Sequence, residues 1–186
     1  FHDCPGSHVT EAMDVTQGKL CLGFTTPVTL QSQDCTAMQL LNQVYGGGMT
    51  SKLFLNVREK QSLCYSISSG YYGAKGILTV AAGIDSASRA QTQEEILRQL
   101  AACAAGEITA QELQDAQQAM RSALQALHDS PSAIESYYST AALSGRNLTP
   151  AQYLQQVNRV EVADLVRMAQ SVKLHSSFFL TEGGTQ

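Results

Sequence analysis

Tryptophan is absent from this chain of 186 residues, and only 12 lysines and arginines stand against 16 acidic residues. With a formal charge of −4 and its few basic residues scattered, the chain lacks the cationic footprint of a nucleic-acid-binding surface. No apolar run approaches the ~20 residues that span a bilayer, so no membrane partner is expected. C-x-x-C pairs are missing as well. Cys4, Cys21, Cys35, Cys64 and Cys103 are odd in number and widely spaced, which supports neither a zinc ribbon nor a redox motif. Reduced thiols in a cytoplasmic protein are the reading that fits. An initiator methionine is also lacking. Residues 1–10 contain Pro5, Gly6 and two histidines without periodicity, and residues 1–14 read as a linker or the end of a preceding segment.

Several kinds of chemistry are excluded by what is missing around suggestive residues. Gly46, Gly47 and Gly48 precede a helix, yet Lys52 follows Ser51 and precedes Leu53, whereas a P-loop needs Gly-Lys-Ser/Thr and a dinucleotide fold needs a strand before its glycines. His8 and Glu11 are a fragment of an H-x-x-E-H zinc motif, but Ala12 stands where the second histidine belongs. His2, His128 and His175 have no partner at ligand spacing, so no metal site is expected in this chain. A G-x-S-x-G nucleophile elbow does not occur, and Asp129 beside His128 reads as a solvated helix end.

What is present is pattern. Leu20, Leu22 and Phe24 alternate in a half-buried strand closed by Pro27. Met38, Leu41, Val44 and Tyr45 repeat at helical spacing and stop at Gly46. Thr50 can cap a second helix with the stripe Leu53, Phe54 and Val57. Two strands follow, one alternating at Leu63, Tyr65 and Ile67, the other at Leu78, Val80, Ala82 and Ile84, joined by a hairpin-like loop. Thereafter helices dominate. The first starts at Asp85 or Ser86, with the stripe Ile96, Leu97, Leu100, Ala101 and Ala104, and ends at Gly106. Thr109 with Glu112 is a capping-box signature before Leu113, Ala116, Met120, Leu124 and Leu127. Ser130-Pro131 and Thr149-Pro150 start two more. A helix over residues 162–172 precedes an apolar run at 178–180 that returns to the sheet. This order predicts an α+β fold, a mostly antiparallel sheet with helices packed on one face. One domain is expected over residues 15–182, with a tail at 183–186.

The stretch YGGGMTSKLFLNVREKQSLCYS, residues 45–66, resembles the C-terminal-domain signature of the insulinase/pitrilysin (M16) family of zinc metallopeptidases, bacterial type. Members show a glycine-rich turn, a small residue with Lys or Arg, Leu-Phe, then V-R-E-K, and a Leu-x-Tyr entering a strand. EAMDVTQGKLCLGF resembles the family's entry strand. The resemblance implies a LuxS/metallohydrolase-like fold and a unit of two homologous domains around a chamber. One of them carries H-x-x-E-H, and the other contributes an arginine and a tyrosine seven apart. Arg58 and Tyr65 occupy those positions. Gln61 and Ser62 depart from the common R-G-L-x-Y pattern, keeping a small residue without glycine, and Cys64 is an uncommon entry before the tyrosine. The glycine turn can let two helices join tightly through residues free to take positive φ.

By this resemblance the chain is the zinc-free half of a metallopeptidase and is inactive alone. Its expected partners are the missing N-terminal domain or a zinc-bearing M16 subunit, with a peptide as substrate. Zinc, the expected cofactor, lies in that half or subunit. The alternative is a non-catalytic M16-like scaffold or partner-binding subunit. For the two site residues themselves a plainer reading stands beside the functional one. Tyr65 shares a strand face with Leu63 and Ile67 and can be core, and Arg58 can be a solvated cation at a helix end.

Overall fold

The computed structural model describes residues 5–183; His2, Cys4 and residues 184–186 of the tail expected at 183–186 lie outside the described residues. Along the chain run β1 (His8–Met13), β2 (Gly18–Thr25), α1 (Cys35–Tyr45), a π-helix (Leu53–Lys60), β3 (Ser66–Tyr72) and β4 (Ile77–Ile84). Then come α2 (Arg89–Ala104), α3 (Ala110–Ala126), α4 (Pro131–Ser144), α5 (Pro150–Arg159), α6 (Val162–Ser171) and β5 (Lys173–Glu182).

The five strands form one sheet in the order β1-β5-β2-β4-β3. Its centre follows from alternation. Leu20, Leu22 and Phe24 of β2 sit opposite Ala82, Val80 and Leu78 of antiparallel β4, and all six are buried. Each large apolar side chain so placed contributes about 2 kcal/mol. On the other face Lys19, Ser66, Ser68 and Ala81 are exposed, so the helices cover one side and leave the other open. The fold is α+β, with antiparallel pairing everywhere except β1, which runs parallel to β5.

Residues 8–13, expected as linker, are the edge strand β1. All six are exposed, and a strand with solvent on both faces carries no alternation that a sequence pattern would reveal. In the helical layer the expected caps form. Thr109 and Glu112 close a reciprocal capping box, as do Thr149 and Gln152. Ser130 accepts from the Ala133 N–H ahead of Pro131. Asp85 caps a short 3₁₀ turn that leads into α2.

The three glycines after α1 join the helical layer to the sheet edge. The Gly46 carbonyl accepts the Ser69 N–H of β3 at 2.9 Å, and Ser69 Oγ donates to Asn42 Oδ1 at 2.7 Å. None of Gly46, Gly47 and Gly48 has a positive φ, contrary to the expected reason for the run. Space is the reason instead. A β-carbon on Gly46 would lie 2.6 Å from Ser69 Oγ and 2.8 Å from Leu53 Cδ1, and one on Gly47 would meet the Gln43 side chain at 2.5 Å. Gly46→Ala is therefore expected to destabilise the domain by about 1–3 kcal/mol, read as a lower urea midpoint at unchanged m-value. An unchanged midpoint would mean that Ser69 and Leu53 give way freely.

Candidate functional site

Tyr45 ends α1 fully buried, and its hydroxyl donates to the Ile96 carbonyl at 2.9 Å. From this anchor the glycine turn leads to Ser51, whose hydroxyl accepts the Phe54 N–H at 3.4 Å in the capping role expected of Thr50. The helix that follows is a π-helix, a form that concentrates at functional sites. Leu53 and Val57 face the core, while Leu55 and Glu59 are exposed.

Two polar fastenings hold this helix. At its start the Lys52 ammonium lies 2.7 Å from Glu112 Oε1, although Lys52 is only 9% exposed. The other oxygen of Glu112 accepts the Thr109 N–H at 2.8 Å, so one carboxylate serves both the π-helix and the first turn of α3. Burial alone would raise the Glu112 carboxyl; the bonds from Lys52 and Thr109 outweigh it and hold the group below the usual carboxylate range. Along its side, Asn56 donates to Gln99 at 2.8 Å and Gln99 to Glu95 at 2.6 Å. Glu95 also takes two bonds from Arg98. Burial pushes the Glu95 carboxyl up, and Arg98, Gln61 and Gln99 together bring it below its ordinary value. Thr92, Glu95 and Gln99 are thus buried members of α2 that an apolar stripe cannot reveal.

The π-helix stops on a left-handed residue. Ser62 has φ 52°, its N–H donates to the Arg58 carbonyl at 3.0 Å, and the Leu63 N–H donates to the Val57 carbonyl at 3.0 Å. Glycine serves such a stop without steric cost, which explains its place in the pattern that Ser62 departs from. The turn also breaks the expected alternation at Leu63, Tyr65 and Ile67, because β3 begins only at Ser66. Leu63 is buried, whereas Tyr65 is 64% exposed.

Tyr65 is therefore no core residue. Its N–H is held by the Gly83 carbonyl at 2.8 Å, and it borders a small polar cleft of about 100 Å³ with Gln17, Asp85 and Glu182. The Arg58 side chain is 40% exposed. Its guanidinium lies 4.7 Å from the centre of the Phe54 ring, and Glu59 is 3.8 Å away, too exposed and distant for a strong pair. Burial pushes the Cys64 thiol up to about 11, against the opposing charge of Arg58. No hydrogen bond joins Arg58 to Tyr65 among the described residues. Both face solvent from the two ends of one helix-to-strand joint.

The described residues offer no zinc site. His8 and Glu11 lie on β1, where residues three apart point to opposite faces, and His8 Nδ1 is engaged with Ser177 Oγ at 2.8 Å. Among the described residues no group of three His, Cys, Asp or Glu side chains is placed to hold a metal ion. No helix among them is long and apolar enough to cross a membrane.

Residues 2–120 match the family described as "Peptidase M16 inactive domain". The chain belongs to the M16 peptidase family. A relative, "Probable inactive metalloprotease YmfF" of Bacillus subtilis, is 30% identical over 179 residues, which are 95% of this chain and 42% of the relative. A conserved protein from Enterococcus faecalis superposes over 100% of this chain and 44% of its own, with a TM-score of 0.91 and 27% identity. The fold is also that of the peptidase M16 inactive domain from Pseudomonas fluorescens, with a TM-score of 0.78 and 20% identity over 98% of this chain and 45% of that one. The chain thus spans less than half the length of each of these relatives. Its match is to the inactive domain of that family.

Two expectations test how this M16 domain is held at the joint. Ser62→Gly removes a left-handed β-carbon and should raise stability by about 1 kcal/mol, a gain of about 2–4 °C in Tm. A lower Tm would show that the serine side chain more than offsets the strain. Glu112 titrates lower in the folded than in the unfolded chain. Its stabilisation is therefore complete above the unfolded carboxylate range, about 4.3, and is lost as pH falls through the folded value. Glu112→Gln should cost about 2 kcal/mol at neutral pH, with the gap to wild type narrowing below about pH 4. A gap that stays constant down to pH 2 would mean that the carboxylate charge contributes nothing.

Proposed function

We propose that this domain is the zinc-free half of an M16 metallopeptidase, where it completes a peptide-binding chamber and presents Arg58 and Tyr65 to the substrate. The observation that carries the reading is the joint at residues 58–65, where two side chains with hydrogen-bond donors stand clear of the core. Attack of water on a peptide carbonyl develops negative charge on the carbonyl oxygen, and a donor positioned for that charge lowers the barrier by about 3 kcal/mol. A phenol supplies one directional donor; a guanidinium supplies several with fixed charge. Zinc, for which the described residues hold no ligand set, belongs to the N-terminal domain or to a zinc-bearing M16 subunit, and the domain alone cleaves no peptide. Four described cysteines are free and three of them buried, which supports a reducing, cytoplasmic setting.

A second reading is favoured by the name of the B. subtilis relative, which calls that protein inactive. On this reading the domain is a scaffold or partner-binding subunit. Tyr65→Phe in the two-domain assembly separates the two. On the peptidase reading kcat falls by up to ~100-fold, while the urea midpoint barely moves, because the exposed hydroxyl is no buried donor. Arg58→Lys should also lower kcat, since an ammonium does not reproduce the planar fork. Turnover unchanged by both substitutions would remove the catalytic assignment, and an assembly with no peptidase activity on any peptide would establish the scaffold.

A further inference from the structure

The helical layer contains a second feature with no tie to the joint. A cavity of about 510 Å³ opens between α3, α4 and α5, within the range of about 300–1,000 Å³ typical of small-molecule pockets. No residue of the 45–65 segment lines it. Met120, Leu124, Leu127, Ala141 and Leu148 make most of its wall apolar, and Arg146 sets one cation beside them.

Arg146 reaches this place because Gly145 ends α4 in the left-handed conformation, φ 69°, folding the next residue back so that its N–H meets the Ala141 carbonyl at 3.0 Å. One guanidinium nitrogen, Nη2, donates to Gln156 Oε1 at 2.7 Å and to Thr36 Oγ1 at 3.0 Å. The Cys35 thiol is a third hydrogen-bond partner of the guanidinium, and all three partners are neutral. Among the described residues no carboxylate lies within ion-pair distance of Arg146. The titratable groups that feel its charge are Cys35, Tyr71, Tyr137 and Tyr153; burial raises each of them, so all are uncharged at neutral pH. A half-buried guanidinium with five N–H donors and no counter-charge is unfavourable unless an anion answers it.

The helix above the cavity is loosely packed. Of the 14 residues of α4 only Ser144 is buried, and the face it turns to the cavity is made of small side chains, Ala133, Ser136, Thr140 and Ala141, beside Tyr137. A guest with an apolar body would give α4 the contact it lacks. One cation matches one negative charge, whereas a phosphate monoester carries ≈ −1.5 to −2.

We propose that this cavity binds a small aliphatic monocarboxylate, its carboxylate against the free N–H groups of Arg146 and its chain along Met120, Leu124 and Leu148. The assignment rests on no part of the peptidase reading.

Titration calorimetry with octanoate, octan-1-ol and octylamine tests it. Octanoate should bind with Kd on the order of 100 μM, octan-1-ol about tenfold or more weakly because it lacks the charge-assisted bond, and octylamine not at all. Arg146→Gln should bring octanoate down to the level of octan-1-ol while leaving octan-1-ol unchanged. Ala141→Trp, which fills the cavity, should abolish binding of both. If Arg146→Gln does not fold, the three ligands on wild-type protein still decide. Equal binding of octanoate and octan-1-ol, or no octanoate binding at 1 mM, roughly ten times the expected Kd, overturns the proposal. So do octanoate-induced NMR shifts that miss Tyr137 and Tyr153.

Discussion

Lys52 takes a full positive charge to near-complete burial at the start of the π-helix, and Glu112 meets it from the first turn of α3. An ammonium buried without that carboxylate would be strongly destabilising, so the two helix starts cannot shift independently. The rest of the joint inherits this constraint. With its first turn pinned, the π-helix lays Asn56 against Gln99, and Gln61 completes the same polar seam at Glu95. Ser62 then turns the chain through left-handed space into β3. Arg58 and Tyr65 stand where they do because everything around them is fastened by charge and backbone geometry rather than by their own contacts.

Much of this architecture is legible in the sequence wherever one residue's environment is set by near neighbours. Leu20, Leu22 and Phe24, like Leu78, Val80, Ala82 and Ile84, alternate because one sheet face is covered and the other is not. Thr109 with Glu112 and Thr149 with Gln152 announce helix starts because the capping box is closed within four residues. Legibility ends where partners are distant or polar. The apolar stripe of α2 overlooks Thr92, Glu95 and Gln99, whose burial depends on partners at 56, 61 and 63. β1 has no covered face to write a period. The exposure of Tyr65 depends on the φ of a serine three residues earlier, which no alternation rule includes. Arg58 and Tyr65 emerge from the resemblance alone, since neither periodicity nor composition separates them from ordinary surface residues. Arg146 leaves no local trace at all, its acceptors lying at 36 and 156.

Cys35 and Cys103 are fully buried, and burial lifts Cys103 to about 12, so these thiols carry too little thiolate to act as nucleophiles or metal ligands. The carboxylates that are held low, Glu95 and Glu112, are engaged in fastening helices. Facing solvent at the joint are the Tyr65 phenol and the Arg58 guanidinium, beside the exposed Glu59 and Lys60. The proposed role of Arg58 and Tyr65 therefore rests on two donors held on a pinned frame, and on no group of the joint that reacts itself.

The sheet order has a consequence for biosynthesis. β5, which leaves the ribosome after the other four strands of this sheet, is an interior strand that lies between β1 and β2, and its bond to His8 joins residues 169 apart in sequence. Until residues 173–182 emerge, β1 has no neighbour and one side of β2 presents unpaired backbone, the configuration that invites pairing with foreign chains. Closing so large a loop is entropically slow. Completion of the sheet therefore waits for residues 173–182, and until they arrive the nascent domain rests on its β2–β4–β3 half, with a gap where β5 inserts.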